Sequence, residues 1–399
     1  MIARAAADRG LPVRCQPVLP LEAVFGRAEA GAEIRPFPLN APGVVLTYSG
    51  TAAIYQALRA LSLPPGSRVL CPSYNCGHEI EPLLRLGLGV ECYRVTRDLK
   101  IDLEDLERRM RGARAVMVTH YFGFPQPLRT LREVCTRHGV WLVEDCAHAL
   151  FSDNEEGNLG RVGDAAVYSM RKTLPLPNGG AFVLNNPVLR QAHGRLHEPP
   201  RLSTGLKALE LAAKAAADRI AADRDLRNLL WLLGLLPLLF GARVIKALHP
   251  RARVSCYNPD DEDRGFSTEI MQWGISRFST RLLEQLDLRE IVAHRRENYA
   301  FLAAELASGA LCRPLLPALP PRVCPLYMPV WAERPLDLYA KLERQRIYPD
   351  VFWESEHPAV EWSLFPEARE LKHHVLALPV HQDVNRRQLE RLVRVLRER

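Results

Sequence analysis

The sequence lacks the marks of a membrane or secreted protein. Its one membrane-like run, LLWLLGLLPLLFGA at residues 229–242, has fourteen residues interrupted by Gly234 and Pro237, whereas a spanning helix needs about 20. It reads as a buried or partner-facing helix. The alternative is peripheral contact, with the helix lying on the inner face of a membrane beside Arg243, Lys246, Arg251 and Arg253. The stretch MIARAAADRGLPVRC puts Arg4, Asp8 and Arg9 where a secretion signal needs an apolar core, so no signal is read there. Cysteine offers no framework either. The nine cysteines are odd in number and scattered, and Cys71 and Cys76 have neither zinc nor redox-pair spacing. Cys92, Cys135 and Cys146 sit in apolar runs, where free cysteine packs as a small hydrophobe. A reducing cytoplasm is expected.

Nucleotide and hydrolase signatures are missing as well. There is no G-x-x-x-x-G-K-S/T, no H-E-x-x-H and no G-x-S-x-G. Gly87 and Gly89 form a lone G-x-G after a helical stretch instead of a strand, which excludes a dinucleotide fingerprint. The formal net charge is +7, but no basic block interleaved with aromatics appears. That balance suits an anionic small molecule or an acidic surface better than dedicated nucleic-acid binding, and no nucleic-acid partner is expected.

What is present is an ordinary globular composition, 47% hydrophobic and 25% charged. At 399 residues the chain is too long for one core. Between residues 44 and 185 short β-rich runs alternate with amphipathic helical stretches. SRVLCP precedes NCGHEIEPLLRLG, VECYRV precedes IDLEDLERRM, and RAVMVTH precedes PLRTLREVCTRHG and then VWLVED. This is the pattern of an α/β fold, a mostly parallel central sheet with helices on both faces. The expected organisation is an N-terminal arm over 1–40 and a large domain over 41–264, the latter with a helical insertion at about 190–260. A small C-terminal α+β domain over 265–399 follows. Ligands in such sheets sit at the carboxyl ends of the strands.

Three stretches at strand ends carry candidate chemistry. In YSGTAAIYQALRAL (48–61) a strand breaks at Ser49-Gly50 and a helix starts at Thr51. Free N–H groups there suit a phosphate, although Ser-Gly-Thr is also an ordinary N-cap. In VWLVEDCAHAL (140–150) alternation sends Glu144 and Asp145 to opposite faces, and one carboxylate requires a partner such as a cationic ring nitrogen. His148 follows three residues on; the plainer reading makes Asp145 the cap of a helix CAHAL. In VYSMRKTLPLPNGG (167–180) Ser169 and Lys172 lie just past a strand, before prolines and glycines that admit neither helix nor central strand. A phosphate cradle, an acid for a ring nitrogen and an amine are together the needs of pyridoxal 5'-phosphate.

The order SGTAA, PSYN, HYFGFPQPL, EDCAHA and GDAAVYSMRKTLPLPNGG resembles the DegT/DnrJ/EryC1/StrS family of sugar aminotransferases. The likeness is loose over 268–296 and returns at LALPVHQD (376–383). The resemblance implies a fold type I, aspartate-aminotransferase-like PLP-dependent transferase, active as a homodimer. It makes Lys172 the lysine that holds the cofactor as an internal aldimine and shuttles the substrate proton. Asp145 becomes the partner of the pyridine nitrogen, and His148 the neighbour of the phenolic oxygen. Gly50, Thr51 and Ser169 become phosphate-binding positions, and Cys76 falls at the ring-stacking position, with His78 as its substitute. His120 and Tyr121 fall in the motif at the substrate mouth. Two departures stand out. Only Met170 and Arg171 separate Ser169 from Lys172, and the segment by which a partner subunit contacts the phosphate is not recognisable in RGFSTEI (264–270).

The expected function is a transaminase. An amino donor, glutamate by the resemblance, converts the cofactor to its amine form, which then aminates a keto sugar. Arg171 would help to hold a diphosphate. Asp350, Trp353, His357 and His381 are further candidates for the substrate cleft. The alternatives are a non-catalytic, membrane-associated member with an assembly role in envelope polysaccharide synthesis, and lyase chemistry with the same cofactor.

Overall fold

The computed structural model describes residues 11–19, 35–155, 157, 159–190, 194–222, 267–307 and 311–398. The apolar run 229–242 and the boundary expected near 265 lie outside the described residues. Among them, no helix is long and apolar enough to cross a membrane.

A short strand, β1 (Val13–Arg14), precedes seven strands that form one sheet. They are β2 (Val45–Thr47), β3 (Arg68–Pro72), β4 (Gly89–Tyr93), β5 (Ala115–Thr119), β6 (Trp141–Asp145), β7 (Ala165–Tyr168) and β8 (Gly180–Leu184). Their order is β2-β8-β7-β6-β5-β3-β4. The pairs β3/β4, β3/β5, β5/β6 and β6/β7 are parallel, and only β8 runs against its neighbours β7 and β2. The expected mostly parallel α/β sheet is present. Every residue of β5, β7 and β8 is buried. Since alternate side chains point to opposite faces, both faces are covered, and the strands read as unbroken apolar runs for that reason.

Five helices connect these strands: α1 (Gly50–Ala60), α2 (Ile80–Arg85), α3 (Leu103–Arg109), α4 (Leu128–His138) and the single turn α5 (Met170–Thr173). Two expected helical stretches are shorter or absent. Of NCGHEIEPLLRLG only Ile80–Arg85 is helical. Gly77 takes a left-handed φ of 84°, and the Asn75 amide donates back to the Pro72 and Ser73 carbonyls, so Cys76 and His78 lie on a loop. CAHAL is a turn. Asp145 accepts from the Ala147 N–H at 2.9 Å without starting a helix.

Beyond β8 come α6 (Arg201–Ala222), α7 (Arg277–Glu284) and α8 (Leu288–Leu306). The remainder is the α+β tail. Its strands are β9 (Arg313–Pro314), β10 (Tyr327–Trp331), β11 (Ile347–Tyr348), β12 (Asp350–Val351) and β13 (Val375–Pro379), with helices α9 (Pro335–Arg344), α10 (Pro366–His374) and α11 (Arg386–Arg397). A four-stranded antiparallel sheet runs β12-β13-β10-β9, while β11 pairs in parallel with β1. The N-terminal segment therefore packs on the far end of the chain.

The end of β6 organises the sheet's carboxyl edge. Glu144 is fully buried. Its carboxylate accepts the N–H groups of Gly160, Val162 and Gly163 at 2.7, 2.9 and 2.6 Å, and meets His120 Nε2 at 3.1 Å. His120 Nδ1 accepts from Gln126 N–H at 3.1 Å, so Nε2 carries the proton and donates. Removing the carboxylate strands four donors, three backbone N–H groups and the His120 Nε2–H. Glu144→Ala is expected to lower the unfolding free energy by about 3–5 kcal/mol, measured by chemical denaturation. A loss below about 1 kcal/mol would mean that these N–H groups find other acceptors.

Candidate active site

The carboxyl ends of β6 and β7 and the start of α1 open into one cavity of about 330 Å³, lined by Gly50, Thr51, Asp145, His148, Ser169 and Lys172 among others. Three separate stretches of sequence thus meet at one place. Each is delivered by local structure.

At α1, Ser49 is the N-cap, and its hydroxyl accepts from Ala52 N–H at 3.2 Å while its carbonyl accepts from Ala53 N–H at 3.0 Å. That leaves the first two N–H groups, of Gly50 and Thr51, for a ligand. A β-carbon on Gly50 would meet Ser169 Cβ at 2.8 Å and Oγ at 3.1 Å. Only glycine lets the helix start and the post-β7 turn approach so closely. Ser169 in turn precedes α5 without using its hydroxyl as a cap, and is buried.

Asp145 occupies the opposite face of β6 from Glu144. Its Oδ2 lies 3.5 Å from the Thr119 hydroxyl, and the cavity lies before it. Burial first, and then the Glu79 carboxylate, push its pKa from 3.8 up to about 6. A carboxylate so destabilised favours a cationic partner. His148 is fully enclosed. Its Nδ1 accepts from Phe122 N–H at 3.4 Å, so Nε2 keeps the proton, and burial, helped by the Lys172 charge, holds its pKa well below the usual imidazole range. It is a neutral donor. Its ring lies 5.3 Å from Trp353 and 5.5 Å from Phe352.

Lys172 sits on the third residue of α5 and is half-buried. Among the described residues its Nζ has no hydrogen-bond or ion-pair partner. The neighbouring Arg171 also lines the cavity, and its Nε is buried with no acceptor. A free amine, an open helix start and an acid with a raised pKa fit a phosphorylated, ring-cation-bearing aldehyde. That is the donor set pyridoxal phosphate requires.

Other expected positions fall differently. Cys76 lines the cavity, but its thiol donates to Glu79 at 2.9 Å and burial raises its pKa well above the ordinary thiol value. His78 lines it too, with burial lowering its pKa to about 4. His120 is not at a substrate mouth. It is fully buried behind the site, held by Glu144 and Gln126. Tyr121 is likewise in the wall, its hydroxyl donating to the Tyr74 carbonyl at 2.6 Å. His381 is buried and donates to the Arg14 carbonyl at 2.8 Å, away from the lining. Of the tail candidates, Trp353 lines the cavity, while His357 is bound to Glu81 at 3.0 Å.

Sequence reasoning passed over several residues. Lys372, on α10, is buried and donates to the carbonyls of Asn75, Trp353 and Ser355 at 2.7, 2.8 and 2.9 Å. It joins the loop bearing Cys76 to the loop bearing Trp353. Gln16 and Pro17 line the cavity from the N-terminal segment, and Lys207 lines it from α6. No local motif marks any of these, because each depends on a distant segment folding over the sheet.

Comparison with known proteins agrees with this geometry. Residues 39–205 match the profile of the DegT/DnrJ/EryC1/StrS aminotransferase family. Among curated proteins, the chain is 29% identical over 145 residues to a GDP-perosamine synthase of Vibrio cholerae, covering 35% of this chain and 40% of that protein. It is 32% identical over 157 residues to a dTDP-4-dehydro-2,3,6-trideoxy-D-glucose 4-aminotransferase of Saccharopolyspora spinosa, covering 38% and 41%. The chain thus aligns with about two fifths of these relatives' length. The solved structure of the sugar aminotransferase CalS13 from Micromonospora echinospora superposes with a TM-score of 0.62 at 19% identity, over 96% of this chain and 98% of that one. That likeness extends the shared fold across the tail. Residues 39–205 are thus similar to the DegT/DnrJ/EryC1/StrS aminotransferase family.

Proposed function

We propose that the protein is a pyridoxal-phosphate-dependent aminotransferase that transfers an amino group from a donor such as glutamate to a keto sugar carried on a nucleotide. The observation that carries the reading is the shared cavity, which the Lys172 amine, unpartnered among the described residues, lines together with the buried Asp145 carboxylate and the open start of α1. The family match and the sugar-modifying relatives support the substrate class. A homodimer belongs to the same reading.

When bound, the cofactor supplies an aldehyde that condenses with amines and a ring that accepts electrons from a Cα bond. The chain's own residues do the rest. Gly50 and Thr51 N–H groups and the Ser169 hydroxyl would hold the phosphate. Asp145 keeps a proton on the ring nitrogen, since its own ionised form gains from that cation. The His148 Nε2–H would serve as a donor to the cofactor's phenolic oxygen. Lys172 Nζ takes the proton from the substrate Cα and returns one. Arg171, with its buried Nε unsatisfied, holds the acceptor's phosphates.

The deciding experiment is absorption spectroscopy of the purified protein with added pyridoxal phosphate, followed by borohydride reduction and peptide mapping. Label on Lys172 is the expected result; a colourless protein with unmodified Lys172 would sink the reading. Lys172→Ala should lower glutamate-dependent turnover about 10²–10⁴-fold with folding intact by circular dichroism. Gly50→Ala forces Ser169 aside and should weaken cofactor binding about 10-fold or more, read by titrating the cofactor's absorbance.

Asp145 also sets a pH dependence in the cofactor-free protein. Its folded pKa lies above the unfolded value, so the stability contributed by its neutral form is full below about pH 4 and lost as pH rises through about 6. Melting temperatures recorded across that window should fall with pH in the wild type. The fall should be smaller in Asp145→Asn, and equal slopes would place the titration elsewhere.

A further inference from the structure

Besides Lys372, the mechanism leaves a second buried cation unused. Arg295, on α8, is 0% exposed, and among the described residues no carboxylate forms an ion pair with it. Its bonds go elsewhere. Nη2 donates to the Thr173 carbonyl at 2.8 Å, Nη1 to the Leu326 and Pro325 carbonyls at 3.0 and 3.3 Å, and Nε to Gln382 Oε1 at 3.1 Å. Gln382 returns its amide to the same Thr173 carbonyl at 3.5 Å.

Each acceptor leads to the cavity. Thr173 is the last residue of α5, a single turn that cannot satisfy its own terminal carbonyls. Lys172 is the residue before it. On the second branch, Leu326 N–H donates to the Phe122 carbonyl at 2.9 Å, and Phe122 N–H donates to His148 Nδ1. One planar guanidinium therefore braces the segment that aims Lys172 and the segment that sets the tautomer of His148. A fork of fixed donors suits that task better than a flexible ammonium would. Gln382 lies in the LALPVHQD motif, to which the proposed chemistry gives no other part.

We propose that Arg295, with Gln382, is the positioning residue of this site, holding Lys172 and His148 in register without touching substrate. The inference rests on the aminotransferase reading for its chemical meaning. Its test is separable from that reading. In full-length protein, Gln382→Met and Arg295→Lys are compared with wild type by amide hydrogen exchange, by melting temperature and by the pH midpoint of the bound cofactor's absorption band. For Gln382→Met, amides of residues 170–176 should exchange about 10-fold faster, with the melting temperature within about 5 °C. The absorption midpoint should move by about half a pH unit or more. Arg295→Lys should show the same changes, larger.

If exchange at 170–176 rises no more than elsewhere and the midpoint stays put, Arg295 is a packing residue only and the proposal is overturned. Should Arg295→Lys fail to fold, Gln382→Met alone decides. If wild type takes up no cofactor on Lys172, the aminotransferase reading fails, and the exchange comparison still supports or overturns the brace.

Discussion

The pleat of a single strand end governs the site. Two carboxylates in succession, Glu144 and Asp145, must face opposite sides of β6, and both are buried. The structure resolves the two burials differently. Glu144 is saturated by three backbone N–H groups and His120, becoming part of the frame. Asp145 is held by one backbone N–H at 2.9 Å and a distant threonine hydroxyl at 3.5 Å. A buried carboxylate with so few donors is costly unless a cation joins it. The frame on one face is what allows an unfinished acid on the other.

The rest of the cavity is arranged around that unfinished charge. His148 is kept neutral, so it adds a donor without adding a second cation beside Lys172. Its ring is enclosed by residues with unusual backbones: Phe122 at φ 55° and Trp353 at φ 72°, both left-handed without being glycine. Such conformations cost about 1–3 kcal/mol each and persist where the surroundings over-determine them. Here Lys372 grips the Trp353 carbonyl, and Leu326 grips that of Phe122.

The alternation of apolar runs made the parallel part of the sheet legible, because strands covered on both faces leave buried stretches such as AVMVT, but the glycine pair at 179–180 reads as excluding a central strand, and Gly180 instead opens β8 between β2 and β7. The same alternation located the ends where Gly50, Asp145 and Lys172 meet. Three substrate positions were misplaced by the same logic. His120, Tyr121 and His381 lie in segments near the cavity, but a segment's place does not say which way a side chain turns, and each turns toward a backbone or carboxylate acceptor. Helical periodicity over 75–87 was also misleading, since a left-handed Gly77 and the Asn75 amide hold the first residues in a loop. Arg295 and Lys372 were invisible. An arginine among charged helix residues looks solvated until the tail is folded over it.

The N-terminal segment has a consequence for how this molecule is made. Residues 13–14 pair with 347–348, Val18 N–H is held by Asp383, and the Arg14 carbonyl is held by His381. Gln16 and Pro17, between those anchors, form part of the cavity wall. On a ribosome the seven strands are all available once Leu184 has emerged, yet this wall waits for residues almost two hundred positions later. The binding chamber is therefore closed by segments 365 residues apart, at Val18 and Asp383, and a nascent chain carries it open until the second of them has emerged.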